Sequence, residues 1–328
     1  MKKILVTGSA GLIGSALVDD LVKQGMVVGG LDRRRVEKST AAVNYVCDIL
    51  DRARLIACVS EFAPDAVVHL AARTDVEEKN LSGYAANIEG VSNLVEAIRA
   101  TPSVRRCIWT STQLVCRFGY VPTGVSDYQP DTVYGQSKVR TEEIVRASDG
   151  AGREWCLVRP TTVWGPGVNT HYQRFLKFVK LGLYFHVDPG PLYKSYGYIG
   201  NITHQYVQLL HAPAETIQGR TLYLADYMPI DLVSWCNAFQ QSFGAHPIPV
   251  MPKSLVRLLA LLGDALGKLG LRGVPFNSFR LKNILTQYQF DMRETEAICG
   301  PLPYTIEEGV QITADWLIRH SRKTRSRS

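Results

Sequence analysis

Near its amino terminus the chain reads Ile4-Leu5-Val6-Thr7-Gly8-Ser9-Ala10-Gly11-Leu12-Ile13-Gly14, which predicts a short apolar strand, a glycine-rich turn and the start of a helix. A glycine turn that enters a helix offers close backbone approach, free N–H groups and a positive helix terminus, and all three suit a phosphate. A second strand, 27–31, ends at Asp32, where an acid can bind the ribose hydroxyls of a dinucleotide. Together these features predict a dinucleotide-binding unit.

Strand and helix signals alternate through the first half of the chain. Further strands are expected at 44–46, 66–70, 105–111 and 155–159. Helices are expected after Gly14, after a capping Asp51, and at 87–100 and 134–147. Such alternation is typical of a parallel sheet covered on both faces, with the ligand at the carboxyl ends of the strands. The expected fold class is α/β: a Rossmann-type doubly wound parallel sheet with a smaller, interleaved C-terminal substrate-binding lobe.

The alternation breaks half-way along the chain. We expect a dinucleotide-binding domain over residues 1–165 and a mainly substrate-binding lobe over 166–318. Within that lobe, a strand at 221–225 and a helix at 232–243 are expected to return to the sheet. A last helix is expected at 306–319.

An apolar segment with helical spacing spans residues 253–270, interrupted by Asp264 and Lys268. We favour a helix on the substrate side or at a dimer interface. A helix that lies on a membrane surface is the alternative.

The bulk composition is that of a globular protein, with 328 residues, 46% of them hydrophobic and 20% charged. Part of the net charge of +7 lies in residues 319–328, which are expected to form a disordered basic tail rather than to bind nucleic acid. A basic protein suits an anionic substrate. No apolar run is long enough for an integral membrane segment.

The seven cysteines are scattered, and no two have the spacing of metal ligands. This usage indicates a reducing compartment, without a disulfide framework or a metal site, and we expect a cytoplasmic protein. The apolar run after Lys2 and Lys3 is only a strand long and enters the glycine turn, so it does not predict a signal peptide.

Tyr134-Gly135-Gln136-Ser137-Lys138 is the second informative motif. Residues four apart lie on one face of a helix, so Tyr134 and Lys138 are expected to project into the same cleft. The pKa of a free phenol is about 10, and a nearby ammonium lowers it. The pair therefore predicts a group that takes or gives a proton at an alcohol or sugar hydroxyl.

A strand that ends Ile108-Trp109-Thr110-Ser111-Thr112 places hydroxyls at its carboxyl end. One of them can hydrogen-bond the reacting oxygen and fix its position relative to Tyr134 and the cofactor.

These motifs together resemble the extended short-chain dehydrogenases/reductases, within the NAD-dependent epimerase/dehydratase family. The resemblance covers residues 2–167 and extends more loosely to 316. It rests on the glycine turn, Asp32, Asp48-Ile49, His69-Leu70-Ala71-Ala72, Asn87, Ser111-Thr112, Tyr134 to Lys138, and the segment from Arg159 to Gly167.

The resemblance implies roles for individual residues. The implied catalytic residues are Thr112, Tyr134 and Lys138. The implied cofactor contacts are Gly8, Ala10, Gly11, Leu12, Ile13, Gly14, Asp32, Arg33, Asp48, Ile49, Leu70, Ala71, Ala72, Asn87, Tyr134, Lys138, Pro160 and Val163. The implied substrate contacts are Thr74, Ser111, Thr112, Tyr134 and Lys194.

The chain also departs from the pattern of the family. Dehydratases of the family carry Asp-Glu after the catalytic Thr, whereas this chain has Gln113-Leu114, which argues against a 4,6-dehydratase. Lys194 stands near the place where many relatives have an Arg for nucleotide phosphates. Arg174, Lys177 and Lys180 are further candidates for a diphosphate.

The cofactor is expected to be NAD, because the Asp32 carboxylate pairs with ribose hydroxyls and repels a 2′-phosphate. Arg33, Arg34 and Arg35 follow directly, so NADP stays open as the less favoured alternative.

The function predicted is an NAD-dependent nucleotide-sugar epimerase or 4-ketoreductase with a Tyr/Lys/Thr proton relay. A 3β-hydroxysteroid-type or other alcohol dehydrogenase is the alternative within the family. A dinucleotide-sensing protein without turnover is the alternative of another class. The resemblance implies a homodimer formed through the helices that start near Asn87 and Tyr134.

Overall fold

Strands and helices alternate from Lys3 onward in the computed structural model, which describes residues 1–36, 38–168, 170–187, 190–268 and 277–325. The strands are β1 (Lys3–Thr7), β2 (Val27–Asp32), β3 (Val43–Val46), β4 (Ala66–His69), β5 (Arg106–Thr110), β6 (Glu154–Pro160), β7 (Thr162–Trp164), β8 (Tyr193–Lys194), β9 (Tyr196–Tyr198), β10 (Arg220–Leu224) and β11 (Ile230–Asp231).

Helices follow most of the strands. They are α1 (Leu12–Lys23), α2 (Arg52–Phe62), α3 (Ala85–Arg99), α4 (Val133–Ala147), α5 (Asp149–Gly152), α6 (Thr170–Lys180), α7 (Ile199–His211), α8 (Ala214–Ile217), α9 (Leu232–Phe243), α10 (Lys253–Lys268), α11 (Ser278–Leu285), α12 (Arg293–Cys299) and α13 (Ile306–Arg325). The Asp51 carboxylate caps α2, as predicted, by accepting a hydrogen bond from the Arg54 N–H at 3.1 Å.

The main sheet has seven parallel strands in the order β10-β6-β5-β4-β1-β2-β3. All four residues of β4 are buried, as expected for a strand covered on both faces. Successive residues of β1 point to opposite faces, so Leu5 packs into one core whereas Ile4 and Val6 pack into the other. The predicted α/β doubly wound sheet is confirmed.

Two layers of helices cover the sheet. On the face of Leu5 the core includes Leu55 of α2, Leu94 of α3 and Val145 of α4. On the opposite face the core includes Leu17 of α1, and residues of α7 and α12 complete it. Because all seven strands run parallel, their carboxyl ends meet along one edge, which is where the candidate site residues follow the strands.

The chain divides into two compact units. The first comprises Met1–Val163, Gly197–Tyr227 and Phe290–Pro303, and the second comprises Trp164–Tyr196, Met228–Gln289 and Tyr304–Ser328. The strand expected at 221–225 does join the sheet, since β10 pairs with β6.

Two expectations about the second half differ from the structure. Helix α9 belongs to the second unit and packs against α13, so it does not return to the sheet. Its buried aromatic residues explain this, because Trp235 and Phe239 pack against Trp164 of the same unit. Helix α13 runs on to Arg325, so residues 319–325 are helical rather than disordered.

Some expectations fall on residues outside those described, namely 326–328 of the tail and 269–270 at the end of the apolar segment. All seven cysteines are buried and free. A search of the described residues finds no helix with the length and apolarity needed to cross a membrane.

Candidate active site

The glycine turn lies between β1 and α1. Gly8 has a φ of +71°, a conformation that favours glycine, and its N–H donates to the Leu31 carbonyl oxygen at 2.7 Å. A Cβ at position 14 would lie 2.1 Å from the Gly8 carbonyl oxygen, so only glycine fits there. No side chain caps the start of α1, which leaves backbone N–H groups available for an anion.

Asp32, at the carboxyl end of β2, is held against this turn. Its Oδ2 accepts a hydrogen bond from the Ala10 N–H at 3.0 Å, and its Oδ1 accepts one from the Arg34 N–H at 2.9 Å. The Arg34 guanidinium lies 3.6 Å from Oδ1 and donates to the Ala10 carbonyl oxygen at 2.9 Å. Arg34 is therefore paired with the carboxylate, whereas Arg33 and Arg35 are exposed.

The other residues expected to line a cofactor lie near the carboxyl ends of β3 and β4. Asp48 is exposed and accepts a hydrogen bond from the Leu50 N–H at 3.0 Å, and Ile49 is buried. Leu70, Ala71 and Ala72 are half-buried. The Leu70 and Ala71 N–H groups both donate to the Thr7 hydroxyl at 3.2 Å, which fixes this segment beside β1.

Asn87, predicted as a cofactor contact, is fully buried behind the site. Its amide nitrogen donates to the Arg73 carbonyl oxygen at 3.0 Å and to the Ser137 hydroxyl at 2.9 Å. Its amide oxygen accepts from the Arg73 N–H at 2.8 Å. These bonds make Asn87 a positioning residue that ties the segment after β4 to α4, and its contact with the cofactor stays a prediction.

The first turn of α4 presents Tyr134. Thr132 caps this helix, since its hydroxyl accepts a hydrogen bond from the Gly135 N–H at 3.0 Å. Tyr134 and Thr112 are both buried, and the Thr112 side chain lowers the pKa of the Tyr134 phenol, so the two hydroxyls that the sequence assigns to the reacting oxygen lie close together.

The pKa of Tyr134 differs from the sequence expectation. Burial raises the pKa of Tyr134 to about 12, and the hydrogen bond with Thr112 acts in the opposite direction without outweighing it. The expectation that Lys138 lowers this pKa is wrong for the protein chain by itself. The reason is that burial removes the water that stabilises the charged phenolate, and the surrounding groups do not replace all of that stabilisation.

Lys138 lies one helical turn beyond Tyr134 and is 2% exposed. Its ammonium donates to the Thr110 carbonyl oxygen at 2.8 Å, at the end of β5. Burial lowers the pKa of Lys138 to about 8, against the opposite effect of the Glu142 charge. The amino group is thus anchored to the strand end from which Thr112 follows.

The remaining predicted residues are placed as follows. Pro160 ends β6 and is buried, and Val163 is half-buried against the core that contains Ile4. Thr74 is exposed, in the segment after β4. Ser111 is buried directly after β5, and its side chain contributes to the lowered pKa of Glu142.

Lys194 lies in the second unit and is 4% exposed. Its ammonium donates to the Asn283 carbonyl oxygen at 2.8 Å and lies 5.6 Å from the centre of the Tyr288 ring. Burial lowers the pKa of Lys194 to about 8. The amino group is thus anchored to the segment around Asn283, and its contact with a diphosphate stays a prediction.

The part of the chain that carries these site residues is matched by the model of a known family. The model of the NAD dependent epimerase/dehydratase family matches residues 4–207, which is more than half of the chain. The chain belongs to this family. It is an enzyme of the extended short-chain dehydrogenase/reductase type.

Individual relatives extend over nearly the whole chain. The N-acetyl-alpha-D-glucosaminyl-diphospho-ditrans,octacis-undecaprenol 4-epimerase of Escherichia coli O157:H7 is 26% identical over 98% of this chain and 96% of that protein. The 2-alkyl-3-oxoalkanoate reductase of Stenotrophomonas maltophilia is 27% identical over 94% of this chain and 97% of that protein. The UDP-glucose 4-epimerase of Thermotoga maritima shares the fold, with a TM-score of 0.76, 21% identity and coverage of 97% and 99%.

The residues present fit the NAD that the family uses. Glycine at positions 8 and 14 lets the turn pack tightly against the segment after β4 and against the start of α1, and α1 offers uncapped N–H groups for a pyrophosphate. Asp32 holds two acceptor oxygens at the end of β2, where ribose hydroxyls are bound in such folds.

Sequence reasoning missed a buried ion pair behind the catalytic helix. Glu142 and Arg159 are almost completely buried, and the guanidinium donates to the two carboxylate oxygens at 2.8 Å each. Burial alone raises the pKa of Glu142, but its hydrogen bonds and the Arg159 charge outweigh that and hold it below its usual range. The sequence did contain a signal for this buried position, because Glu142 follows Lys138 by one helical turn and therefore lies on the same face of α4.

His69 has a structural role that the family motif did not specify. Its Nδ1 lies 2.8 Å from the Thr7 hydroxyl, and its ring packs edge-on against Trp109. Burial, with a smaller contribution from the Lys138 charge, lowers the pKa of His69 to about 3. His69 is therefore neutral at physiological pH and joins β1 to β4.

Proposed function

We propose that this enzyme inverts a hydroxyl-bearing carbon of a diphosphate-linked sugar, with NAD as its cofactor. Nucleotide-sugars are the first substrate class, and polyprenyl-diphosphate-linked sugars are the second. The observation behind the proposal is the buried group of Thr112, Tyr134 and Lys138 at the carboxyl edge of the sheet, where the Lys138 ammonium donates to the Thr110 carbonyl oxygen at 2.8 Å.

The similarity to sugar epimerases supports epimerisation over the other reactions of the family. The relative from Escherichia coli, which is named as a 4-epimerase of a sugar on a polyprenyl diphosphate, aligns over almost the whole chain. The absence of Asp-Glu after Thr112 argues against a dehydratase, because Gln113-Leu114 supplies no acid and base for the removal of water. The steroid-type dehydrogenase is not better supported, because the relatives of that kind align with 72% to 76% of the chain, whereas the epimerase aligns with 98%.

Thr112 and Tyr134 together bind and orient the reacting hydroxyl. The Thr112 hydroxyl oxygen accepts a hydrogen bond from the Leu114 N–H at 3.3 Å, so its own hydrogen can be donated to the substrate oxygen, and Tyr134 takes or returns the hydroxyl proton. With its pKa raised to about 12, Tyr134 is protonated at neutral pH and is ready to donate to a ketone oxygen. Lys138 holds a positive charge on the same face of α4.

NAD⁺, when bound, would supply a hydride acceptor. A positive charge such as that of the Lys138 ammonium favours the phenolate form of Tyr134 and so favours loss of its proton. Asp32 holds the ribose hydroxyls, and its charge disfavours a 2′-phosphate, so we propose NAD rather than NADP. The Asp32 carboxylate, 3.6 Å from the Arg34 guanidinium, offsets part of the positive charge that would attract that phosphate.

A deuterium label distinguishes epimerisation from reduction. UDP-glucose, UDP-N-acetylglucosamine and N-acetylglucosaminyl-diphosphoundecaprenol, each deuterated at C4, are incubated with the enzyme and NAD. The proposal predicts a C4 epimer of at least one substrate that keeps its deuterium, because the hydride returns to the carbon it left. A product without deuterium, or no product, would contradict it.

Reduction of an oxo substrate is the second candidate, because the relative from Stenotrophomonas maltophilia aligns with 94% of the chain. Mass spectrometry of the ligand released from denatured protein separates the two. An epimerase regenerates its cofactor in each cycle and is expected to retain NAD. A protein purified without dinucleotide, which oxidises NADH with a 2-alkyl-3-oxoalkanoate, would establish the reductase.

We also propose a cytoplasmic homodimer. The seven buried free thiols support a reducing compartment. Helices α3 and α4, all of whose residues are described, pack against each other and expose no large hydrophobic side chain, so a dimer through them would have a polar interface. Light scattering at twice the mass of 36.5 kDa would support the dimer, and a single chain would contradict it.

A further inference from the structure

Helix α10 in the second unit is amphipathic in an unusual way. One face is buried, with Val256 and Ala260 both at 0% exposure in a core that also includes Val187 and Leu281. The rest of the helix exposes a row of leucines that no described segment covers. These are Leu255, Leu258, Leu259, Leu261, Leu262 and Leu266, each 40% to 61% exposed.

The leucines follow helical spacing, so they form one continuous surface. Positions 255, 258, 259, 262 and 266 lie on one side of the helix, next to the buried side. A contiguous apolar surface of this kind marks an interaction site, whereas scattered exposed leucines would not. We call these six leucines the leucine surface.

A neighbouring loop of the same unit adds to the apolar area. Leu181 and Leu183, after α6, are 68% and 64% exposed. The loop is fixed beside α10, because Phe185 packs against the core of Val256 and the Met251 N–H donates to the His186 carbonyl oxygen at 2.8 Å.

The charges around the leucine surface are positive. Lys253 and Arg257 are exposed, and Arg257 lies one helical turn before Leu261. The loop is preceded by Arg174, Lys177 and Lys180, and no acidic residue occurs between 170 and 187. Asp264, the one acid in α10, is half-buried and accepts a hydrogen bond from the Ser278 N–H at 3.2 Å.

We propose that the leucine surface docks on an anionic lipid bilayer, with α10 lying parallel to it and the chain not crossing it. A helix with an apolar face and basic flanks binds such a surface in two ways. Its leucines bury apolar area in the bilayer, and its basic side chains are attracted to the anionic lipids. A second copy fits less well, because it would present the same basic side chains, Arg174, Lys177 and Arg257, to a surface that is already positive. The proposal is independent of turnover, so it can fail while the proposed function stands.

Vesicle co-sedimentation of the full chain tests the docking. Wild-type protein is expected to sediment with vesicles of phosphatidylcholine and phosphatidylglycerol, and less with phosphatidylcholine alone. Leu258→Gln combined with Leu262→Gln should lower the partition coefficient by about tenfold or more, because each loses buried apolar area. Lys253→Glu combined with Arg257→Glu should lower it similarly on anionic vesicles only.

A matched control places the same change elsewhere. Val121→Gln with Met228→Gln alters two side chains that are 74% and 75% exposed outside the leucine surface, and it should leave sedimentation unchanged. Absence of vesicle binding by the wild type would overturn the proposal, as would equal binding by the leucine variant. A leucine variant that binds vesicles normally but loses oligomeric mass would show that a second copy covers this surface instead.

Discussion

The Lys138 ammonium lies 2.8 Å from the Thr110 carbonyl oxygen, which joins the catalytic helix to the strand end that precedes Thr112. Both groups are in the interior, where losing the Lys138 charge would leave the carbonyl with a weaker donor. The charge state of this one amino group therefore links the position of α4 to the electrostatics of the Tyr134 hydroxyl.

The first prediction concerns pH. Because burial lowers the pKa of Lys138 to about 8, the amino group is charged below that pH and neutral above it. We expect kcat/KM to fall on the alkaline side with an apparent pKa near 8. In Lys138→Arg the guanidinium stays charged, so this limb should disappear from whatever activity remains. If the fall of kcat/KM near pH 8 persists in Lys138→Arg, the group that titrates is not Lys138.

The second prediction concerns the preference for NAD. Asp32→Asn removes a charge that pairs with Arg34 and is available to ribose hydroxyls. Loss of charged hydrogen bonds should raise the Kd of NAD by about 10-fold to 100-fold and should narrow the gap to NADP. Calorimetric titration with both dinucleotides measures this. As a control, Arg35→Ala changes an exposed arginine of the same segment and should bind NAD as the wild type does.

The third prediction concerns the glycine turn. In Gly14→Ala the new Cβ would meet the Gly8 carbonyl oxygen, so the turn must open at a cost of about 1–3 kcal/mol. We expect a lower midpoint of urea unfolding and loss of NAD binding. Gly124→Ala is the control, because a Cβ there meets no atom within 4 Å. Normal NAD affinity in Gly14→Ala would place the pyrophosphate elsewhere.

The fourth prediction concerns the buried ion pair. Glu142→Gln leaves the Arg159 charge without its carboxylate in the interior and should destabilise the fold by about 3–5 kcal/mol. Glu143→Gln, on the same helix, breaks an exposed pair with Arg140 and should cost about 1 kcal/mol or less. Urea titration of both variants compares them. Equal effects would mean that the buried pair contributes no more than a surface one.

The sequence predicted the sheet because its strands and helices depend on local signals. Strand periodicity and glycine spacing identified the turn, and the separation of Tyr134 from Lys138 placed them on one helix face. The partners of buried groups could not be predicted in this way. Asn87, Lys194 and Arg159 find their hydrogen bonds with residues distant in the chain, so only the folded structure shows which of them remain available to a ligand.

The expected pKa of Tyr134 was wrong for the same reason. Helix spacing showed that an ammonium is near the phenol, but not that both groups are buried, and burial is the larger effect. The extension of α13 beyond residue 319 was also missed, because a run of Lys, Arg and Ser has no apolar periodicity to indicate a helix.

The most direct test of the proposed chemistry is Tyr134→Phe, with Tyr193→Phe as the control at a half-exposed tyrosine. Epimerisation of the deuterated sugar and binding of NAD are measured on the same preparations. We expect kcat to fall on the order of 100-fold to 10,000-fold in Tyr134→Phe while the Kd of NAD changes little, because only the proton-transferring hydroxyl is lost. Epimerisation at the wild-type rate in Tyr134→Phe would contradict the assignment of Tyr134 as the acid and base.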